Sequence, residues 1–434
     1  MIKVEPEKRE IVIVGGGVIG TTIAYFLSRH PTYNPSIHRI SIIEATSLAS
    51  AASGKAGGLL ALWAYPSCIV PLSYHLHAEL AAKHNGAERW GYRPLYCASV
   101  QATAIKKPLL KQQQQQQQQQ SPTNNPNPIL SPSPSKNEGE KKGKQSPKIV
   151  ESFKDKKRSD GKISVQIPQD LDWIDKDTIE AYTEMGTPHT TAQVHPYHFT
   201  NSMADLAVEA GVEVVYGRVR DIDFSSGGVR KVIYEDRTSK IKHELPVTDV
   251  ILAAGPWTPI LFPPAPINAV RAHSVLIKAD VSPYAIFSEI SLPKDCKRPR
   301  KKSVVTPEIY PRPDGTVYAC GDADSSVPLP LSSELVNCDE SQCQDIIDYI
   351  STISTVLREG QVLKKQACYL PSVKGNANGP LIGKTKLKGL FLATGHTCWG
   401  IQNSCATGKL MSEIIFDGEA KSANISSLDP RLFI

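Results

Sequence analysis

Residues 11–20 have the sequence IVIVGGGVIG, and TTIAYFLSRH follows directly. Four β-branched residues lead into Gly15, Gly17 and Gly20, and apolar residues at helical spacing come next, which predicts a strand, a tight turn and a helix. In this pattern the first glycine permits the turn, the second lets a pyrophosphate approach the backbone, and the third lets the helix pack on the strand. The phosphates would lie at the positive end of that helix, so the stretch predicts a dinucleotide site.

A second predicted strand, HRISIIE, ends at Glu44. An acidic residue about 20 positions beyond the glycines is where a dinucleotide fold holds a ribose hydroxyl. A glycine-rich turn in another kind of α/β domain is the alternative. The combination of strand, helix and acid favours the dinucleotide site.

Composition limits the class of protein. The chain has 434 residues, of which 40% are hydrophobic, enough for two domains with sizeable cores. No apolar run approaches the roughly 20 residues of a membrane span, and the N-terminus is charged, so we expect an intracellular, cytoplasmic protein without a transmembrane segment. Nine scattered cysteines without a CxxC pair indicate free thiols and no metal site.

The net charge of +6 is unevenly distributed. Residues 106–162 hold 13 Lys or Arg and 5 Asp or Glu, a net +8, so the remainder of the chain is close to −2. We therefore expect no nucleic-acid partner. A second basic cluster, residues 294–302 (KDCKRPRKK), is interpreted as a solvated loop, with a nuclear-localisation or phosphate-binding patch as the alternative.

The segment 106–162 differs in composition from the rest of the chain. Nine consecutive glutamines at 112–120 precede a stretch rich in serine, proline and lysine, with almost nothing to bury. Such a segment is predicted to be disordered. It is interpreted as a tolerated expansion in a surface loop, with a regulatory or partner-binding insert as the alternative.

Three further stretches bear on the site. Small residues dominate 49–58, which suits a backbone lying against a flat ligand. A buried strand in TDVILAAGPW closes on Ala254 and Gly255. The stretch GLFLATGHTCWGIQNSCATGK again predicts a strand, a small-residue loop and a helix. The helix is expected to begin near Gln402 or Asn403, where its N-terminus would stabilise negative charge on a ligand ring.

Taken in order, GGGVIG, Glu44, SGKAGG, ILAAGPW, YPRPDGTVYACG and ATGHTCWGIQNSCATGK resemble the FAD-dependent oxidoreductases of the D-amino-acid oxidase-like (DAO) superfamily, which includes glycine and sarcosine oxidases. SGKAGGLLA, WGY, AQVHPYHFT and DPRLF are most similar to fungal members linked to late-endosome-to-Golgi recycling. The resemblance implies an α/β (α+β two-domain) fold with a Rossmann-type FAD-binding domain and a mainly antiparallel-sheet substrate domain. The expected boundaries are 8–70, 190–264 and 360–434 for the FAD-binding domain and 71–105, 163–189 and 265–359 for the substrate domain.

The resemblance also implies FAD as the cofactor and a set of residues that hold it. The pyrophosphate turn would comprise Gly15, Gly17, Val18, Ile19 and Gly20, with Glu44 on the ribose. The remaining expected contacts are Ser53, Lys55, Ala56, Gly57, Gly58, Val219, Ala254, Gly255, Gly395, His396, Gly400 and Ile401. FAD is expected to be non-covalent, because alignment on Tyr369 puts Ala367, not Cys368, where sarcosine oxidases attach the flavin.

On the substrate side, the resemblance implies oxidation of a carbon–nitrogen bond, with a hydride passing to flavin N5. In glycine-oxidase-like members an arginine in an LRP motif clamps the substrate carboxylate, and here Leu370 stands in its place. No catalytic residue is assigned. The candidates for substrate contact are His396, Trp399, Tyr310 and Arg312, each with a structural alternative such as a core aromatic, a lid over the flavin edge or a turn residue.

Two hypotheses follow. The first is an FAD-dependent oxidoreductase acting on a small amine, imino acid or amino-acid derivative. The second is a flavin-bound scaffold in endosome-to-Golgi trafficking with little turnover, which would have trafficking proteins as partners and associate with late endosomes. An NAD enzyme is disfavoured because a nicotinamide fold needs neither SGKAGG nor the ATGH stretch.

Overall fold

The computed structural model describes residues 8–104, 166–293, 303–375 and 379–434. The predictions of disorder at 106–162 and of a solvated loop at 294–302 lie outside the described residues. In the described part of the chain, no helix is long and apolar enough to cross a membrane. The eight described cysteines are all free thiols.

The strands, in chain order, are β1 (Arg9–Val14), β2 (His38–Glu44), β3 (Leu59–Ala61), β4 (Arg93–Pro94), β5 (Tyr96–Thr103), β6 (Ile179–Gly186), β7 (Thr191–Gln193), β8 (Glu213–Asp223), β9 (Lys231–Asp236), β10 (Lys242–Pro246), β11 (Asp249–Leu252), β12 (Ile267–Lys278), β13 (Tyr284–Ser291), β14 (Val304–Val305), β15 (Glu308–Pro311), β16 (Thr316–Asp324), β17 (Gln361–Val373), β18 (Leu381–Lys384) and β19 (Leu390–Thr394). The helices are α1 (Val18–Leu27), α2 (Val70–Lys83), α3 (Gly86–Trp90), α4 (Pro196–Glu209), α5 (Thr258–Leu261), α6 (Glu340–Ser351), α7 (Thr355–Glu359) and α8 (Gly400–Phe416).

The first sheet has the order β10-β9-β8-β2-β1-β11-β19-β18. Its five central strands, from β8 to β19, are parallel, and β1 lies in the middle of them. Residues Ile11, Val12 and Ile13 are fully buried. A continuous apolar run is what a parallel strand covered on both faces requires, and this explains why IVIV occupies the centre of the sheet.

Helices α1 and α8 pack closely on one another beside this sheet. Gly408 of α8 faces α1 so tightly that a Cβ atom there would lie 2.7 Å from the Thr22 carbonyl oxygen and 2.8 Å from a ring carbon of Phe26. The Thr22 hydroxyl also donates to the Ser404 carbonyl at 3.0 Å. The two helices can pack this closely only because Gly408 in the last helix has no side chain.

The second sheet has the order β17-β12-β16-β15-β13-β5-β6, with β14 paired to β13. Its neighbours are antiparallel except for the parallel pair of β13 and β5. Alternate residues face opposite sides: Ile309 and Val317 pack in the core with α6, while Tyr310 and Tyr318 join a cluster with Trp399. A small third sheet, β3-β7-β4, completes the set.

Several local predictions differ from the structure. The predicted boundary at residue 360 assigns β17 to the FAD-binding segments, but this strand pairs with β12 in the second sheet. The remaining domain boundaries stay predictions. The last helix begins at Gly400, earlier than predicted, because a 3₁₀ turn at Thr397–Trp399 leads directly into it.

Substituting Gly408→Ala should destabilise the protein. The added methyl overlaps the backbone of α1, and overpacking of this kind costs about 1–3 kcal/mol. We expect a lower free energy of unfolding by denaturant in the ligand-free protein. Gly400→Ala on the same helix is the matched control, because its Cβ would meet nothing closer than 3.8 Å. Equal stability of the two variants would contradict the packing described for α1 and α8.

Candidate functional site

An elongated cavity of about 1340 Å³, open mouth included, lies over the ends of β1, β2, β11 and β19. These are carboxyl ends of adjacent parallel strands, where open α/β sheets bind their ligands. The loops that follow the four strands form most of its wall, and segments 50–53, 217–219, 331–333 and 370–371 complete it together with Ala56. Its wall includes the glycine turn and Glu44 as well as Leu370 and His396, which suits an extended ligand.

The turn between β1 and α1 forms one part of the wall. Gly15 has φ +114°, and a Cβ atom on Gly17 would lie 2.9 Å from the Ser53 hydroxyl oxygen. That hydroxyl accepts the N–H of Val18 at 2.9 Å. The first turn of α1 carries no acidic side chain, so its positive end is free to face an anion.

Glu44 lies at the end of β2 beside this turn. Its Oε2 accepts the Gly16 N–H at 2.7 Å, and its Oε1 accepts the Thr46 N–H at 2.8 Å and the Thr46 hydroxyl at 2.9 Å. A carboxylate oxygen has capacity for more than one donor, so the side chain can still receive a ligand hydroxyl. The bonds fix Glu44 rigidly against the glycine turn.

The other end of the cavity is largely apolar. Leu370, Pro371 and Cys398 line it together with His396. The His396 Nε2 is paired with the Thr407 hydroxyl at 2.9 Å, and burial lowers the pKa of His396 to about 3. The imidazole is therefore neutral at physiological pH and supplies no cation at this end.

The structure brings most of the sequence-predicted cofactor residues together. Those on the cavity wall are Gly15, Gly17, Val18, Ile19, Glu44, Ser53, Ala56, Val219, Ala254, Gly255, His396, Gly400 and Ile401. Five others do not line the cavity: Gly20, Lys55, Gly57, Gly58 and Gly395. Their contribution to cofactor contact remains a prediction.

The five residues off the wall have identifiable packing positions. A Cβ atom on Gly20 would lie 2.0 Å from the Gly15 carbonyl oxygen, and one on Gly57 would lie 2.4 Å from the Tyr310 ring. Lys55 points away, with its Nζ donating to the Ala367 carbonyl at 3.0 Å. Burial lowers the pKa of Lys55.

Arg312 is buried behind the 53–58 segment and does not line the cavity. Its guanidinium donates to the Ala56 carbonyl at 2.8 Å and lies 3.3 Å from the His195 Nε2. Burial and then the charge of Arg312 lower the pKa of His195 to about 3. Arg312 thus supports the ligand-facing segment from behind, and its burial contradicts the alternative of a solvated turn residue, while substrate contact stays a prediction.

Tyr310 and Trp399 also lie off the cavity wall. The Tyr310 hydroxyl donates to Glu308, and the Trp399 ring packs edge-on against Trp63 with centroids 5.5 Å apart. Three of the predicted substrate-side residues, His396, Tyr310 and Trp399, therefore lie around one end of the cavity. Arg312 does not.

Sequence reasoning missed two groups of residues. Ser333 crosses from the loop before α6 and lies 2.9 Å from the Ser50 hydroxyl and 3.0 Å from the Thr46 hydroxyl. No local sequence pattern predicts this contact, because Ser50 and Ser333 are nearly 300 residues apart in the chain. The second group surrounds Glu308, whose only sequence signal is an acid among the apolar residues of β15.

Comparisons with known proteins agree with this geometry. TDA3 of Saccharomyces cerevisiae is 36% identical over 98% of this chain and 95% of its own length, and C1F5.03c of Schizosaccharomyces pombe is 33% identical over 97% and 98%. Glycine oxidase from Bacillus cereus matches the fold with a TM-score of 0.61 at 19% identity, covering 96% of this chain and all of that one. The family of FAD dependent oxidoreductases (DAO) matches residues 10–414. The chain therefore belongs to the DAO family of FAD-dependent oxidoreductases and has its two-domain α/β fold.

Proposed function

We propose that this FAD-dependent oxidoreductase oxidises a carbon–nitrogen bond of a small amine, imino acid or amino-acid derivative. The observation that carries the proposal is the cavity itself. One end has a glycine turn, a helix N-terminus and a fixed carboxylate, which suit a dinucleotide, and the other end is apolar, with a cluster of aromatic side chains packed near its wall. When bound, FAD supplies the acceptor for the hydride that leaves the carbon next to the nitrogen.

The residues present fit FAD in this cavity. Gly15 and Gly17 line the cavity without side chains, and the N–H groups in the first turn of α1 that Ser53 leaves free would bind the pyrophosphate. Glu44 would accept a ribose hydroxyl, and Val219 would meet the adenine. Ser53, which is bonded to the turn, would lie near the pyrophosphate, and Ala56 would lie along the flavin. Leu370 would exclude water from the flavin end.

We further propose that FAD is held without a covalent bond. Neither Ala367 nor Cys368 lines the cavity. Burial raises the pKa of the Cys368 thiol to about 11, which leaves little of the nucleophilic thiolate at physiological pH.

A second candidate function is a flavin-bound scaffold with little turnover, acting with trafficking proteins at late endosomes. The observation in its favour is Leu370 on the cavity wall, at the position where related oxidases carry a carboxylate-binding arginine. Such a scaffold would bind FAD but would not catalyse a reaction. The two candidates differ in whether any compound reduces the bound flavin.

Substituting Glu44→Ala should weaken FAD binding. Loss of a charge-assisted hydrogen bond costs about 1.5–3 kcal/mol, or roughly 10- to 150-fold in Kd. The measurement is fluorescence quenching during titration of the apoprotein with FAD. Glu213→Ala, an exposed carboxylate on neighbouring β8, is the control and should bind as the wild type does. An unchanged Kd for Glu44→Ala, with the fold intact by circular dichroism, would remove Glu44 from the cofactor site.

The oxidoreductase proposal predicts that at least one compound of the proposed class reduces the bound flavin. The measurement is loss of visible flavin absorbance under anaerobic conditions with a panel of amino acids, N-methyl amines, imino acids and amines without a carboxylate. Bleaching followed by recovery in air with peroxide release supports the oxidase. A flavin that every compound leaves oxidised supports the scaffold.

A further inference from the structure

A second, smaller polar centre lies next to the apolar end of the cavity. Glu308 opens β15 and is paired across the sheet with Cys320 on one side and Phe287 on the other. It keeps accessible surface although it comes from a central strand of the second sheet, and so do Cys320, Phe287 and Trp63. These side chains therefore border a space on the face of the sheet opposite α6, which we call the Glu308 pocket.

Glu308 has hydrogen-bond donors but no countercharge. The Tyr310 hydroxyl donates to Oε2, and the Cys320 thiol lies 3.8 Å from the same oxygen. Within the described part of the chain, Oε1 accepts no hydrogen bond and no lysine, arginine or histidine pairs with the carboxylate. Burial raises the pKa of Glu308, while the two donors offset part of that rise.

A chain of aromatic rings starts at two neighbours of this carboxylate, Tyr310 and Phe287. Phe287 lies 6.0 Å from Tyr310 between ring centroids and 5.7 Å from Trp63. Trp63 in turn lies 5.5 Å from Trp399, and Trp399 lies 5.9 Å from Tyr65. Such rings attract a cation through their faces and also bury an apolar tail.

The pocket adjoins the cofactor cavity. Thr397 and Cys398 line the cavity, and the Tyr65 hydroxyl lies 3.5 Å from the Thr397 hydroxyl oxygen and 3.9 Å from the Cys398 sulfur. Burial, and then the charge of Glu308, raise the pKa of Cys398 to about 11. Glu308 is therefore within electrostatic range of the wall at the end where Leu370 lies.

The described residues supply no cation at this end for a substrate carboxylate. Among the described residues that line the cavity, the charged cation is Arg218, and its neighbour Tyr216 pairs with Glu44, which puts Arg218 at the opposite end. Lys55 and Arg312 are directed to backbone carbonyls, and His396 is neutral. A carboxylate substrate would therefore meet Leu370 at this end and no cationic partner among the described residues.

We propose that the Glu308 pocket binds the amino group of a substrate with an apolar or aromatic tail and no carboxylate. This inference rests on the proposed function and names its substrate class. The cationic nitrogen donates to Glu308, and the rings around it hold the tail. One proton then passes from the nitrogen to a Glu308 oxygen, which leaves a neutral amine with a free lone pair and a neutral carboxyl group. Only that neutral amine can release a hydride from its α-carbon.

Three probes share a phenylethyl group and differ in their polar groups. They are 2-phenylethylamine, phenylalanine, which adds a carboxylate, and 2-phenylethanol, which lacks the positive charge. Binding is measured by calorimetry on the holoprotein reduced with dithionite under anaerobic conditions, so that no turnover occurs. We expect wild type to bind the amine at least tenfold more tightly than either analogue. Equal binding of phenylalanine, or no binding of the amine, would overturn the proposal.

Glu308→Gln should lower the affinity for 2-phenylethylamine by about 10- to 100-fold and leave that for 2-phenylethanol unchanged, because a hydrogen bond to a charged group is lost. Glu289→Gln, an exposed carboxylate on β13, is the matched control.

Phe287→Leu keeps the bulk of the pocket wall and should lower amine affinity by about 2- to 30-fold through loss of a ring face. If Glu308→Gln fails to fold, Phe287→Leu decides the question.

Unchanged amine affinity in the folded variants would refute the pocket. This result is separate from failure of the proposed function, which would appear as an amine that binds through Glu308 but never reduces the flavin.

Discussion

The close approach of backbone to backbone at the turn after β1 is the constraint on which the cofactor cavity depends. A side chain at Gly20 would overlap the Gly15 carbonyl, and one at Gly15 would lie 2.5 Å from the Ala253 carbonyl oxygen. The Glu44 carboxylate then joins the turn to β2 through the Gly16 N–H. The carboxyl ends of three adjacent parallel strands, β2, β1 and β11, are thereby held side by side. Together they form the floor of the cavity.

Elements outside the parallel sheet complete the cavity. The loop before α6 reaches across to Thr46 and Ser50, and the Trp257 indole N–H donates to the Pro330 carbonyl of the same loop at 2.7 Å. From the second sheet, Arg312 bonds the Ala56 carbonyl. A buried guanidinium is costly to leave unpaired, so its bonds fix the 53–58 segment against the ligand space.

The cofactor end was predictable from the sequence because local rules specify it. A run of β-branched residues, three glycines and an acid at fixed spacing determine strand, turn, helix and ligand contact within residues 11–44. The structure places Gly15, Gly17 and Glu44 together as the spacing required. Gly57 and Lys55 were less predictable, since their packing against Tyr310 and Ala367 depends on strands far away in the chain.

The substrate end could not be predicted in the same way. Glu308, Trp63 and Trp399 come from three separate parts of the chain, and only the pairing of β13, β15 and β16 brings their neighbourhood together. Arg312 appeared from sequence to be either a turn residue or a substrate contact, and its burial beneath Ala56 follows from tertiary packing alone.

A crystal structure of the purified protein with its cofactor is the decisive test of this site. We expect FAD along the cavity, with the ribose beside Glu44, the pyrophosphate over Gly15 and Gly17, and the flavin ring beside Leu370 and Cys398 without a covalent bond. A dinucleotide bound elsewhere, or a cavity that stays empty under saturating FAD, would contradict it.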